Sequence, residues 1–273
     1  MQIHETAFIV STYRSHHEDV SKDIYAKMWN NAATDAIIHE IFEKVSIYEA
    51  ILHSLRNRYF YERMNAFFSN HKGGTFINFG SGFSMYQFSL SNAVATIEID
   101  KKDIIEYKKQ KIARWIKDGK LPARQLDYAA INFNKHSFND IVKTIKSLIK
   151  KDPTFILLEG VLFFLDLETT RMLFDVFKKL QKPGDIVGVV TYLPEVEHTA
   201  VYKRLLHYFD SNNDTHDSFH HQTLEESYFH AISGYKVIEK IDEFELSKIY
   251  LSEYDIQSKS EILNETMFLL KKN

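Results

Sequence analysis

A mostly parallel α/β sheet, with helical cover from both ends of the chain, is the fold class that the sequence predicts. Three observations carry it. From Thr75 onward, short apolar runs alternate with amphipathic stretches. Runs such as Thr75–Phe79 and Phe155–Leu158 are nearly continuous in apolar residues, as strands buried on both faces are. Residues 1–72, by contrast, contain no proline and no strand-like alternation.

Within that first segment, Ile37, Ile38, Ile41, Val45, Tyr48, Ile51, Leu52 and Leu55 recur at three- and four-residue steps, the spacing of one amphipathic helix. A second helical stretch is expected from Arg58 to Asn70, and His71-Lys72-Gly73-Gly74 then breaks the pattern. Strands are predicted at Thr75–Phe79, Val94–Ile99, Phe155–Leu158 and Asp185–Val190, the last entered through the Pro183-Gly184 turn. Helices are predicted at Lys102–Lys117, Phe138–Lys151 and Leu167–Leu180. Beyond Pro194 the chain reads as helical again, with aromatics and histidines concentrated between His207 and His230. Two last strands, Tyr235–Ile241 and Glu265–Leu270, are expected as an antiparallel pair at the sheet edge. The expected organisation is one domain over 1–273: a helical cover at 1–72, a ligand-binding core at 73–193, a helical lid at 194–233 and final strands at 234–273.

Composition removes several classes of function. No run of eighteen apolar residues occurs, and the most apolar segment, Phe155–Leu165, is short and carries Glu159. A membrane span is therefore not expected, and the first residues lack the basic start and apolar run of a secretory signal. The absence of cysteine excludes disulfides, thiolate metal sites and a cysteine nucleophile, and fits a cytoplasmic protein. A net charge of −3 supplies no general attraction for phosphate backbones, so no nucleic-acid partner is expected. Lys101, Lys102, Lys108, Lys109, Lys111, Lys117 and Arg114 do cluster, but Asp103, Glu106 and Asp118 interrupt them at helical spacing, which reads as a solvated helix face. The composition leaves the oligomeric state open.

The chemistry begins at Gly80-Ser81-Gly82, directly after the strand Phe76-Ile77-Asn78-Phe79. A strand running into Gly-x-Gly is where an open α/β sheet lets its backbone approach a ligand. A dinucleotide fingerprint demands a third glycine three positions after Gly82, and Met85 stands there. A nucleoside ligand without a pyrophosphate does not need that glycine, which favours S-adenosylmethionine over NAD. Asp100 ends the second strand, twenty residues after Gly80, where an acid can accept hydrogen bonds from both ribose hydroxyls. The alternative role for Asp100 is the N-cap of the helix that follows.

With these residues in view, the chain resembles the leucine carboxyl methyltransferase family, which implies a class I S-adenosylmethionine-dependent methyltransferase with a Rossmann-like sheet. That family includes protein phosphatase carboxyl methyltransferases and many bacterial small-molecule O-methyltransferases. Its glycine motif, roughly N-L-G-A-G-L-D-T-R, is matched by Asn78 to Tyr86, and its E-V-D element by Glu98-Ile99-Asp100. Its fourth-strand motif, roughly I-x-E-G-V-L-x-Y-L, is matched closely by Leu157 to Leu165. The resemblance implies that Gly80, Ser81, Gly82 and Asp100 bind the cofactor, that Asp127-Tyr128 flank the adenine after the third strand, and that Glu159 faces the methionine end. It also implies that Arg14, the basic residue ahead of the segment Asp23-Ile24-Tyr25-Ala26, lies at the cofactor site, and that Arg56 or Arg58 grips the cofactor carboxylate, a task suited to the guanidinium fork. Ser84, Met85 and Tyr86 replace the family's D-T-R, and Ile24 replaces a proline. The altered motif also admits a protein that binds the cofactor without catalysis.

Methyl transfer from a sulfonium is an in-line displacement in which alignment supplies much of the acceleration. A carboxylate acceptor needs no base; a hydroxyl acceptor does. The expected acceptor is a small molecule, a carboxylate or a hydroxyl, with a protein carboxyl group as the alternative. The candidate bases are the lid histidines His207, His216, His220 and His221, with His230 further along. His216 and His220 form an i, i+4 pair, but no third ligand accompanies them, so no metal is expected.

Overall fold

The computed structural model describes residues 3–212, 220–251 and 253–273. Seven strands form one sheet in the order β3-β2-β1-β4-β5-β7-β6. They are β1 (Gly74–Phe79), β2 (Val94–Asp100), β3 (Leu126–Ala130), β4 (Thr154–Leu158), β5 (Ile186–Tyr192), β6 (Tyr235–Asp242) and β7 (Glu265–Lys272). The first five are parallel; β7 runs antiparallel to both β5 and β6, so the predicted antiparallel edge pair is present. The architecture is the mostly parallel α/β sheet expected from the sequence.

Before β1 lie α1 (Ile3–His16), α2 (Ala32–Lys44) and α3 (Glu49–Asn70). Between the parallel strands run α4 (Lys102–Lys117), α5 (Phe138–Leu148) and α6 (Leu167–Leu180); α7 (Ala200–Ser211) follows β5 and α8 (Glu243–Tyr250) follows β6. Alternate residues of the strands feed two separate cores, as a period of two requires. Ile77, Phe79, Ile156 and Leu158 pack with Ile141 and Ile145 of α5 and Leu173 and Phe177 of α6. Phe76, Phe155, Leu157 and Val190 pack on the other face, under Leu52, Leu55, Tyr59, Phe60 and Met64 of α3. Helices therefore cover both faces, and the strands read as unbroken apolar runs for that reason.

The N-terminal helices divide differently from the expected boundaries. The apolar run from Ile37 to Leu55 is not one helix: the break falls at residues 45–48, and everything from Glu49 to Asn70 is a single helix. Arg204 of α7 donates to the freed Val45 carbonyl at 2.8 Å, and Ser46 accepts from the Tyr48 amide at 3.2 Å, so the break is held by a distant side chain and a local turn. At the start of α2, the Asn31 side chain accepts from the amides of Ala33 and Thr34, both at 3.1 Å, and Thr34 closes the capping box. No described helix is long and apolar enough to cross a membrane.

The order of the sheet places the ligand site. The chain leaves β1 toward β2 on one side and returns through β4 on the other, so the crevice of an open α/β sheet lies at the carboxyl ends of these neighbouring strands. α1 packs on α2 and α3, and α7 packs on α2, roofing that end of the sheet.

Candidate functional site

A cavity of about 720 Å3 opens at the carboxyl ends of the strands. One end is formed by Gly80, Ser81 and Gly82 after β1, Asp100 at the end of β2, and Ile131 to Asn134 after β3. The other runs over Glu159 to Val161 after β4 and Tyr192 of β5 to Glu265 of β7, beneath residues of α1, α3 and α7.

At the first end, the glycine turn is imposed by backbone geometry. Gly80 has φ +67°, and a Cβ there would stand 2.2 Å from Cγ2 of Val161. Gly82 has φ +41°, and its amide donates to Asp100 Oδ2 at 2.8 Å. Asp100 Oδ1 accepts from the Lys101 amide at 2.7 Å. Lys101, not Asp100, occupies the N-cap position of α4, and it makes no side-chain cap. Asp100 is therefore not a helix cap; its carboxylate ties the glycine turn to the end of β2 and still lines the cavity. Burial raises its pKa above the ordinary carboxylate value, and the two amide donors act against that rise.

Beneath the turn lies an ion pair that the sequence pattern did not foretell. Lys108 is fully buried, its Nζ 2.5 Å from Oε2 of the equally buried Glu98 and 3.3 Å from the Ser81 carbonyl. The lysine cluster of α4 is thus not wholly a solvated face: Ile104, Ile105 and Ile112 share Lys108's buried face. Asn78 donates to Ser84 at 2.8 Å, and Ser84 donates to the Ser81 carbonyl at 3.0 Å. The unusual residues after the turn are likewise occupied. Met85 packs among Trp29, Phe83 and Phe88, and the Tyr86 hydroxyl donates to Glu159 Oε2 at 2.8 Å.

The expected arginines separate into three roles. Arg14 lines the cavity, buried, with Nε on Asp23 at 3.1 Å and Nη2 on the Phe83 carbonyl at 3.4 Å; its Nη1 has no hydrogen-bond partner among the described residues. Arg56 also lines it, but Nε holds Glu159 at 2.9 Å and Nη1 holds Glu265. Arg58 lies outside, pairing with Glu62 at 2.7 Å and stacking over Tyr250.

Two further expectations are corrected. Asp127 and Tyr128 do not follow the third strand; they lie inside β3, and Asp127 pairs with Lys150 at 2.8 Å. The residues that follow β3 into the cavity are Asn132 and Phe133. The described lid histidines do not line the cavity either. His207 borders a separate depression with Lys44 and Lys203, His220 and His230 are exposed, and His221 packs on the rings of Phe163 and Tyr202. His216 lies outside the described residues.

The histidine that does line the cavity is His53, which the sequence reading passed over. Its Nδ1 donates to the Glu49 carbonyl at 3.0 Å, leaving Nε2 as an acceptor. Burial and the nearby Arg56 hold its pKa well below the usual histidine value, so the ring is neutral at physiological pH. Around it stand Glu49, Glu159, Glu243 and Glu265, with Arg56 paired to two of them. Burial, reinforced by Glu265, raises the pKa of Glu49 to about 8; burial also raises Glu243 and Glu265. The i, i+4 spacing of Glu49 and His53 on an apolar helix was the available signal, but many surface pairs share it.

A family model for leucine carboxyl methyltransferase matches residues 14–178. A search of curated proteins by sequence finds no match. Among solved structures, a protein of the DUF574 family from Streptomyces avermitilis aligns with TM-score 0.62 at 11% identity, covering 89% of this chain and 91% of the other. A Thermobifida fusca protein classed as a methyltransferase aligns with TM-score 0.61 at 12% identity, covering 89% and 90%. Magnesium protoporphyrin IX methyltransferase from Synechocystis, solved with bound S-adenosylhomocysteine, aligns with TM-score 0.52 at 10% identity, covering 89% and 96%. At such identities the likeness is one of fold.

Proposed function

Because the chain belongs to the leucine carboxyl methyltransferase family, we propose that it methylates a small molecule on oxygen, using S-adenosylmethionine held at the glycine end of the cavity. The observation that carries this reading is one continuous cavity running from the Gly80–Gly82 turn and Asp100 to a far end where apolar walls enclose a cluster of buried polar groups.

The residues present fit the cofactor. Asp100 keeps carboxylate lone pairs for a ribose diol, since each oxygen accepts only one amide hydrogen bond. Ile104, Ile131 and Phe133 offer an apolar slot for a nucleobase beside it. Arg14 presents a buried guanidinium with a free Nη1 for the amino-acid carboxylate; Arg56, committed to Glu159 and Glu265, does not. When bound, S-adenosylmethionine supplies an electrophilic methyl group on a sulfonium.

The chain's own part is positioning and the exclusion of water. Ile9, Ile41, Phe163, Phe164 and Leu205 wall the acceptor end. Glu49, Glu159 and Glu265 line that end, with Arg56 already paired to two of them, which disfavours a free carboxylate acceptor and favours a hydroxyl. His53, neutral and with Nε2 as acceptor, is the group suited to receive the hydroxyl proton, in place of the described lid histidines. A roofed cavity of this size suits a small molecule better than an extended polypeptide.

S-adenosylhomocysteine at one hundred times its dissociation constant stabilises a native state by about 2.7 kcal/mol, so it should raise the melting temperature by several degrees, whereas NAD should not. Asp100→Ala should weaken S-adenosylhomocysteine by about 1.5–3 kcal/mol in calorimetric titration. Equal shifts with both ligands, or none with either, would refute the cofactor assignment.

A further inference from the structure

The acceptor end gathers the carboxyl groups of Glu49, Glu159, Glu243 and Glu265 around Arg56. Among the described residues, Arg56 is the guanidinium paired within the set, on Glu159 and Glu265. Glu243 accepts from the Glu265 amide at 3.2 Å. Glu49 has no such partner: it is 4% exposed, lines the cavity, and its Oε1 makes no hydrogen bond among the described residues. The nearest His53 nitrogen is 4.0 Å from Oε2 and already donates to the Glu49 main-chain carbonyl. A buried carboxyl group at a cavity wall, with one oxygen left without a partner, keeps its proton unless a cation enters to meet the ionised form.

We infer that Glu49 anchors a protonated amine on the methyl acceptor, with Glu265 adding negative potential and the rings of Tyr13, Tyr192 and Tyr208 lining the same end of the cavity. This rests on the methyltransferase reading above and names the substrate class: a small hydroxylated amine with an apolar body. Aromatic faces and a carboxylate together suit an ammonium group. A divalent metal is the competing cation, since His53, Glu243 and Glu265 lie within 4.8 Å of one another. Two features favour the amine. Arg56 already sits on Glu265, placing a guanidinium beside any ion there, and Glu243 is not among the residues lining the cavity.

The charged and titratable groups facing Glu49 are Tyr13 of α1, His53 and Arg56 of α3, Tyr192 of β5, Glu243 of α8 and Glu265 of β7. Free Glu49, with its pKa near 8, is mostly protonated at pH 7. Binding an alkylammonium ion, itself charged below about pH 10, therefore expels the Glu49 proton.

The test uses the full chain with saturating S-adenosylhomocysteine at pH 7, titrated with 2-phenylethylamine, 2-phenylethanol and phenylacetate. The amine should bind about tenfold or more tightly than the alcohol, and phenylacetate should bind weakest. Calorimetry in two buffers of different ionisation enthalpy should show close to one proton released per amine bound. Glu49→Gln should abolish both the amine preference and the proton release while leaving S-adenosylhomocysteine affinity unchanged. The proton count in the unaltered chain stands whether or not the variant folds. Equal binding of amine and alcohol overturns the inference, as does a preference that survives Glu49→Gln. So does stabilisation by Mn2+ that Glu243→Gln removes and Glu49→Gln does not. Failure of S-adenosylhomocysteine itself to bind tells instead against the cofactor reading.

Discussion

Glu49 and Lys108 show how much a single side chain can be changed by where it is buried. The folded-state pKa of Glu49 is raised to about 8, above the value near 4.5 of an exposed glutamate. The native state thus holds a proton that the unfolded chain gives up as pH rises above about 4.5. The stability linked to that proton is full below that range and is lost progressively up to the folded pKa near 8. Glu49→Gln, which cannot ionise, should accordingly stabilise the protein more at pH 8 than at pH 5, read as the difference in melting temperature at each pH. A variant with the same shift at both would show that Glu49 ionises normally. Lys108 presents the opposite case. Its removal leaves Glu98 buried with one oxygen already unpartnered, so Lys108→Ala should cost about 3–5 kcal/mol in urea denaturation. Adding Glu98→Gln should recover part of that loss. A Lys108→Ala variant of unchanged stability would mean the pair is not buried in solution.

Among the elements, the glycine turn and α3 position the most chemistry. The turn follows β1 because Gly80 adopts a positive φ and meets Val161, which belongs to the segment after β4. Gly80→Ala should therefore lower stability by roughly 1–3 kcal/mol and weaken S-adenosylhomocysteine together. Pairing it with Val161→Ala should restore part of both, because the collision is with the valine methyl. A pair no better than the single variant would locate the cost in backbone strain alone. The turn was readable as a strand ending in Gly-x-Gly, and Asp100 and Glu159 at comparable strand ends. Asp127 and Tyr128 were misplaced because β3 is only five residues long, with an exposed Ala130 and a half-buried Asp127, so it lacks the apolar run that marked its neighbours. The run from Ile37 to Leu55 was read as one helix because its apolar spacing continues through the break. The side chain that holds the break open, Arg204, comes from 159 residues away.

For the whole molecule, the sheet order brings the ends of β1, β2, β4, β5 and β7 to one cavity and places α1, α3 and α7 over it. The sequence by itself determined the alternation of strands and helices, the antiparallel edge, the glycine turn and the acid at the end of β2. Each of these is written in the spacing and type of residues within a few turns or one strand, which is the range over which backbone preference and burial periodicity act. What only the tertiary structure decided is the composition of the acceptor end. Arg56 meets Glu265 across 209 residues of chain, and His53 rather than any described lid histidine reaches the cavity. A carboxylate's protonation and partners depend on which distant elements are packed against it. That is set by how the two faces of the sheet are covered, and no local pattern around Glu49 or His53 records it.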